Sequence, residues 1–323
     1  MRLHTCKTTT TIETRLHEEV VHCHRKDLHM RLDSYDFKQS YRRLLQGEPS
    51  VELKWDGQPF ALPMKRSMLG LYMLELRLDR DSYRFVIDSG AQISAIRPEL
   101  AQKHHAKPLT GSVSIGSIGG REKQMHGFLV NELRLGNLTI ARLPMVSLET
   151  VGLHARFGSM DLSLFDGILG WDILAQLDFE LDDVAHEFKV LRNCYHFAHP
   201  NMVKTVFPVF LVRDKQEHLL TMGFDSGARE SWMSAKRMRA LGYELGKERL
   251  ALGFGVHGLE EIKVNSISEM DLYLYKAHIH LRHVRTGRTN VFPKDSLDGI
   301  LGNEIYKKRR IRIINSMEMV LLA

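Results

Sequence analysis

The tetrapeptide Asp-Ser-Gly-Ala occurs twice in this chain, at Asp88–Ala91 and at Asp225–Ala228. Each copy is followed by the pentapeptide Asp-Gly-Ile-Leu-Gly, at Asp166–Gly170 and at Asp298–Gly302. The intervals are 78 and 73 residues. A single tetrapeptide recurs easily by chance. Two motifs in the same order at nearly the same spacing do not. The chain therefore reads as an internal duplication, and each unit presents one carboxylate on a tight Gly-containing turn.

The segments between the motifs align in the same way. A strand-like run leads into each Asp-Ser-Gly-Ala: Tyr83–Ile87 in the first unit, Leu219–Phe224 in the second. A short helix follows, Arg97–His104 or Ala235–Leu241, the latter ended by Gly242. A Gly-rich hairpin comes next, Ile115–Gly120 or Gly253–Gly258. Two further strands lead into Asp-Gly-Ile-Leu-Gly, which opens a short helix, Trp171–Gln176 or Asn303–Lys308. One last strand closes each unit, Glu187–Leu191 or Met317–Leu322. This order is mostly β and is neither a βαβ series nor a solenoid. Residues 13–47 differ in texture. Leu16, Val20, His24, Leu28 and Leu32 recur every fourth residue, which predicts a helical N-terminal extension.

Bulk properties narrow the function classes. Hydrophobic residues at 43% and charged residues at 26% suit a globular protein. A formal charge of +6 is spread among acids along the chain and gives no reason to expect a nucleic-acid partner. The run Lys307–Arg310 reads as a solvated face. No window approaches 18 uninterrupted apolar residues, so no membrane span is expected. Three scattered cysteines and a polar, Thr-rich start predict a reducing, cytoplasmic setting. His4, Cys6, His17, His22, Cys23, His24 and His29 crowd the N-terminal segment. Three of them are consecutive and diverge on a helix, and no Cys-x-x-Cys accompanies them, so no metal site is expected.

The duplicated turn carries the chemistry. Asp88 follows Phe85-Val86-Ile87 and Asp225 follows Met222-Gly223-Phe224, so each carboxylate stands directly after a buried run. That placement is costly unless the group is solvated, paired or used. Gly90 and Gly227 permit a sharp turn whose backbone amides can reach the carboxylate. Ser89 and Ser226 supply hydroxyls that, about a pseudo-twofold axis, could bond the opposite unit and lock the turns together. Two carboxylates about 3 Å apart cannot both ionise and share one proton. The ionised one can take a proton from water, and the protonated one can give a proton to a carbonyl oxygen.

With these residues in view, the chain resembles aspartic proteases of the pepsin and retropepsin superfamily. Phe85–Ser94 is similar to the retropepsin turn, Ile115-Gly116-Ser117-Ile118-Gly119-Gly120 to the tip of a retroviral flap, and both Asp-Gly-Ile-Leu-Gly copies to the bracing motif. The resemblance covers about 61–323. It implies a bilobal pepsin-like acid-protease fold built of two retropepsin-like β-barrel lobes, 61–198 and 199–323, behind a helical extension, 1–60. It also implies a monomeric aspartic endopeptidase acting on a polypeptide, without cofactor. Asp88 and Asp225 would be catalytic, and Ser89, Gly90, Ser226 and Gly227 would support them. Ile115, Gly116, Ile118, Gly119, Gly120, Phe254 and Gly255 would form flaps over the substrate. Asp166 and Asp298 would be turn residues. The alternative is a pseudo-protease that keeps the fold and binds peptides without turnover, or a regulatory module whose cleft is filled by the N-terminal segment. Pepsins place Ser or Thr where this chain has Ala91 and Ala228. The missing hydroxyl raises the expected pKa of the dyad and predicts activity from mildly acidic to near-neutral pH.

Overall fold

The computed structural model describes residues 25–26, 42–48, 51–116, 122–148, 156–157, 160–161, 165–255, 258–287 and 297–323. These residues are mostly strand. Alternation explains the strands of the first unit: in Tyr72–Leu78, Leu74, Leu76 and Leu78 are buried while Glu75 and Arg77 face out.

Six strands of the first unit pair in a closed circuit. The order is Leu138–Ser147, Ala95–Ile96, Gly167–Leu169, Asp81–Ile87, Tyr72–Leu78 and Glu122–Leu135, which returns to Leu138–Ser147. The second unit repeats the circuit with Pro208–Asp214, Leu219–Phe224, Gly299–Leu301, Trp232–Ser234, Ala277–Gly287 and Gly258–Leu274. It closes where Arg213 pairs with Tyr273 and Asp214 with Leu272.

The Ile-Leu-Gly motif occupies the same place in both. Gly167–Leu169 runs parallel to Asp81–Ile87, with Leu169 opposite Ile87. Gly299–Leu301 runs parallel to Leu219–Phe224, with Leu301 opposite Phe224. Each motif then enters a short helix, Trp171–Leu174 or the 3₁₀ turn Asn303–Tyr306. The helices expected after the aspartates form at Pro98–Lys103 and Ala235–Ala240.

The closing segments differ from expectation. Each unit ends in a hairpin rather than one strand: Asp178–Asp182 with Glu187–Leu191, and Arg310–Ile314 with Met319–Leu322. With Phe60–Pro63 these form one five-stranded sheet to which both units contribute. At its centre Asp178–Asp182 pairs antiparallel with Arg310–Ile314, Glu180 opposite Arg312. Of the two additional strands, Asp178–Asp182 carries the buried charges Glu180 and Asp182, which hides the usual apolar alternation, whereas Arg310–Ile314 alternates, with Ile311 and Ile313 buried. Glu180 is 3% exposed and is held by Arg312 Nη2 at 2.7 Å and Lys189 Nζ at 3.2 Å. Lys307, Lys308 and Arg310 are exposed.

The largest hydrophobic cluster takes residues from both units, among them Phe85, Trp171, Phe210, Phe224 and Tyr306. Of the expected helical extension, 1–60, residues 25–26 and 42–45 are helical. Glu52–Lys54 is instead a strand antiparallel to Leu138–Ser147, because its backbone completes the edge of the first unit's sheet, and Phe60 opens the strand Phe60–Pro63. Residues 1–24, 27–41 and 49–50, with the histidines and cysteines of that segment, lie outside the described residues. Leu44 and Leu45 are buried against Leu109, Val113 and Leu129. Among the described residues, no helix is long and apolar enough to cross a membrane.

Candidate active site

Each aspartate stands one residue beyond a buried strand and stays tied to its motif. The Asp88 amide donates to the Leu169 carbonyl at 3.0 Å, and the Asp225 amide to that of Leu301 at 2.9 Å. Each side chain folds back over its own turn. Asp88 Oδ1 accepts from the amides of Gly90 at 2.9 Å and Ala91 at 3.0 Å. Asp225 Oδ1 accepts from Gly227 and Ala228 at the same two distances.

The turns meet. The Ser89 hydroxyl donates to the carbonyl of Phe224 and the Ser226 hydroxyl to that of Ile87, both at 2.9 Å. Each hydroxyl also accepts from the amide of the opposite serine, again at 2.9 Å. Ser89 is 1% exposed and Ser226 is fully buried, so these four bonds have no competition from water.

Gly90 and Gly227 are required for a reason other than a left-handed turn, since neither has a positive φ. A Cβ on Gly90 would lie 2.5 Å from Cγ of Asp225, and one on Gly227 would lie 2.4 Å from Cγ of Asp88. Each glycine is the gap through which the opposite carboxylate approaches.

The two carboxylates thus face one another across the glycines, close enough for each to act on the other's proton. Burial pushes Asp88 up from the ordinary carboxylate range, against the amides of Ala91 and Gly90. Burial first, and then the charge of Asp88, push Asp225 well up. The hydrogen bonds around the two match to within 0.1 Å. Near-equal surroundings make the proton a property of the pair rather than of either residue.

The sequence reading overlooked a supporting layer that the repeat also encodes. Ser94 and Ser231 stand six residues after the two aspartates, and Asp172 and Glu304 two residues after the closing glycines. The Ser94 hydroxyl accepts from the Gly170 amide at 3.0 Å and donates to Asp172 Oδ1 at 2.7 Å. Ser231 Oγ accepts from Gly302 at 3.1 Å, and its amide donates to Glu304 at 2.7 Å. Extending the comparison a few residues beyond each motif exposes both pairs. Burial pushes the Asp172 carboxyl up to about 7, and its Oδ2 is buried without a partner.

Asp166 and Asp298 lie elsewhere and bridge strands. Asp166 Oδ2 accepts from the Arg84 amide and Asp298 Oδ2 from the Thr221 amide, both at 2.8 Å. The expected flap residues stand on hairpin arms rather than in this cluster. Ile115 and Gly116 pair with Lys123 and Glu122, and Phe254 and Gly255 with Leu259 and Gly258. Ile118, Gly119 and Gly120 lie outside the described residues. Among the described residues no group of histidines, cysteines and carboxylates suits a metal ion.

No curated protein matches the chain. Residues 74–173, which hold Asp88, its Ser-Gly-Ala turn and the first Ile-Leu-Gly, match the family model described as aspartyl protease, and the match supports a peptidase of the aspartic type.

Proposed function

We propose that this chain is an aspartic endopeptidase whose active site is completed within one polypeptide, and that Asp88 and Asp225 are its catalytic pair. The observation that carries the reading is the approach of the two carboxylates through Gly90 and Gly227, locked by the crossed serines. One carboxylate is ionised and takes a proton from a water molecule as its oxygen bonds to the carbonyl carbon of the peptide. The other gives its proton to the carbonyl oxygen, producing a neutral tetrahedral diol. Proton transfer to the nitrogen then lets the C–N bond break, releasing an amine and an acid and returning one proton to the pair. No covalent intermediate and no cofactor enters the step.

The two six-strand circuits, 61–198 and 199–323, act in this reading as lobes of a pepsin-like enzyme, with the internal duplication as its origin. An extended polypeptide lies between them as an added strand. The hairpins carrying Ile115, Gly116, Ile118, Gly119, Gly120, Phe254 and Gly255 cover it.

Incubation of the full chain with a mixed peptide library between pH 4 and 8, beside Asp88→Asn and Asp225→Asn, tests the reading by mass spectrometry. Cleavage by the native chain and its loss in both variants is the expected result. Peptides that bind the native chain and themselves remain uncut at every pH would turn the reading to the pseudo-protease.

A further inference from the structure

We propose that the edge of the cleft beside the Asp225 turn selects acidic side chains, with Arg229 as its contact residue, so that preferred peptides carry Asp or Glu on one side of the reacting bond. This rests on the dyad reading above.

The turn Asp225–Ala228 runs directly into Arg229, whose side chain is 68% exposed. Its Cδ lies 3.6 Å from where a Cβ on Gly70 would stand, and Arg66 Nη2 lies 3.5 Å from the same point. Arg66 bonds the Gly70 carbonyl at 3.3 Å and its guanidinium sits 5.3 Å from the Tyr72 ring centre. The Gly70 carbonyl also accepts from Asn303 Nδ2 at 3.1 Å, and that same nitrogen reaches the Ser226 carbonyl at 3.4 Å. A continuous set of contacts therefore ties both arginines to the turn that carries Asp225.

A third guanidinium joins them. Arg285 Nη2 is 3.2 Å from Glu230, whose other oxygen is 3.9 Å from Arg229. Three guanidinium groups gather here around one carboxylate, Glu230, and even with Glu304 on the amide of Ser231 the cations outnumber the carboxylates at this edge. Arg229 holds Glu230 only loosely, so it is available to a ligand carboxylate. Met68, 97% exposed on the loop between Arg66 and Gly70, adds an apolar contact beside the charge.

The other unit has no charge at the two positions matching Arg229 and Glu230. Gln92 and Ile93 stand where Arg229 and Glu230 stand, four and five residues after the aspartate. The two ends of the cleft thus differ in charge although the dyad between them is nearly symmetric. A strand-like peptide presents its side chains at fixed intervals. A carboxylate is then favoured at one position, on the Asp225 side alone.

The test uses the full chain carrying Asp88→Asn and, in the same background, Arg229→Gln and Arg229→Glu. Fluorescence anisotropy reads the binding of labelled twelve-residue peptides in which a single Glu, Gln or Lys is moved through each position. A Glu preference over Gln of about two- to fivefold at one position is expected, as for exposed ion pairs. It falls with added salt, disappears in Arg229→Gln and turns to Lys in Arg229→Glu. Equal binding of the three peptides, no binding of any, or a Glu preference that persists in Arg229→Glu overturns the proposal. Acid selection in binding without cleavage by the native chain would instead sink the hydrolytic reading and leave this one standing.

Discussion

Ser89 and Ser226 each use one hydroxyl for two bonds to the opposite unit, and all four distances are 2.9 Å. Each hydroxyl accepts from the other serine's amide and donates to the carbonyl just before the other aspartate. The four bonds form a single ring that fixes how far apart the aspartates can stand.

Serine-to-alanine changes test that ring. Either single change strands a buried amide and a buried carbonyl, and is expected to cost about 2 kcal/mol in urea unfolding. The double change should cost clearly less than the sum, because the first already opens the ring. Additive losses would show that the two serines act independently.

Gly90→Ala and Gly227→Ala are expected to stop turnover while leaving a folded chain. The added methyl would stand about 2.5 Å from the opposite carboxylate carbon, and relief requires that carboxylate to move. A loss of stability of about 1–3 kcal/mol should accompany a fall in cleavage rate of 100-fold or more (an order-of-magnitude figure for a displacement of about 1 Å). Full activity in either variant would contradict the close approach.

Asp172 makes stability depend on pH. Its carboxyl is pushed up to about 7 in the folded chain, above the usual carboxylate value of about 4. A raised folded value means that its contribution is fully present below about pH 4 and is lost as pH rises through about 7. Asp172→Asn retains an acceptor for Ser94 and offers a donor at the buried, unpartnered Oδ2 position. It should therefore match the native chain near pH 4 and exceed it by about 2–4 kcal/mol at pH 8. Parallel unfolding curves at the two pH values would refute this.

The dyad obeys the same sign. Burial raises both Asp88 and Asp225, so removing the second proton costs the native state more as pH rises. Asp225→Asn should lose cleavage yet melt no lower than the native chain at pH 8, as read by circular dichroism. The native rate should peak between mildly acidic and near-neutral pH. A maximum below about pH 3 would match a strongly acid dyad and would contradict the effect assigned to Ala91 and Ala228.

Much of the frame was legible before the structure. Strands Leu219–Phe224 and Glu187–Leu191 form at the expected residues, because their apolar residues are contiguous or alternate and their ends are polar. The closing hairpins were not legible in full. Asp178–Asp182 buries Glu180 against Arg312 of the neighbouring strand Arg310–Ile314, and a single-strand pattern cannot announce a partner 132 residues away. Arg229 illustrates the same limit. Nothing in its local sequence tells that Arg66 and Gly70 stand beside it, or that Arg285 shares Glu230 with it.

By itself the sequence determined that there would be two similar β units, each ending a buried strand in an aspartate on a serine–glycine turn, because repetition and apolar periodicity are properties of the chain. The tertiary structure decided everything that depends on the two units meeting: the reach between the carboxylates, the crossed serines, the need for glycine at 90 and 227, and the sheet they share. Those relations join residues more than a hundred positions apart, and burial in a common core, not local preference, is what sets their distances and raises the pKa of the pair.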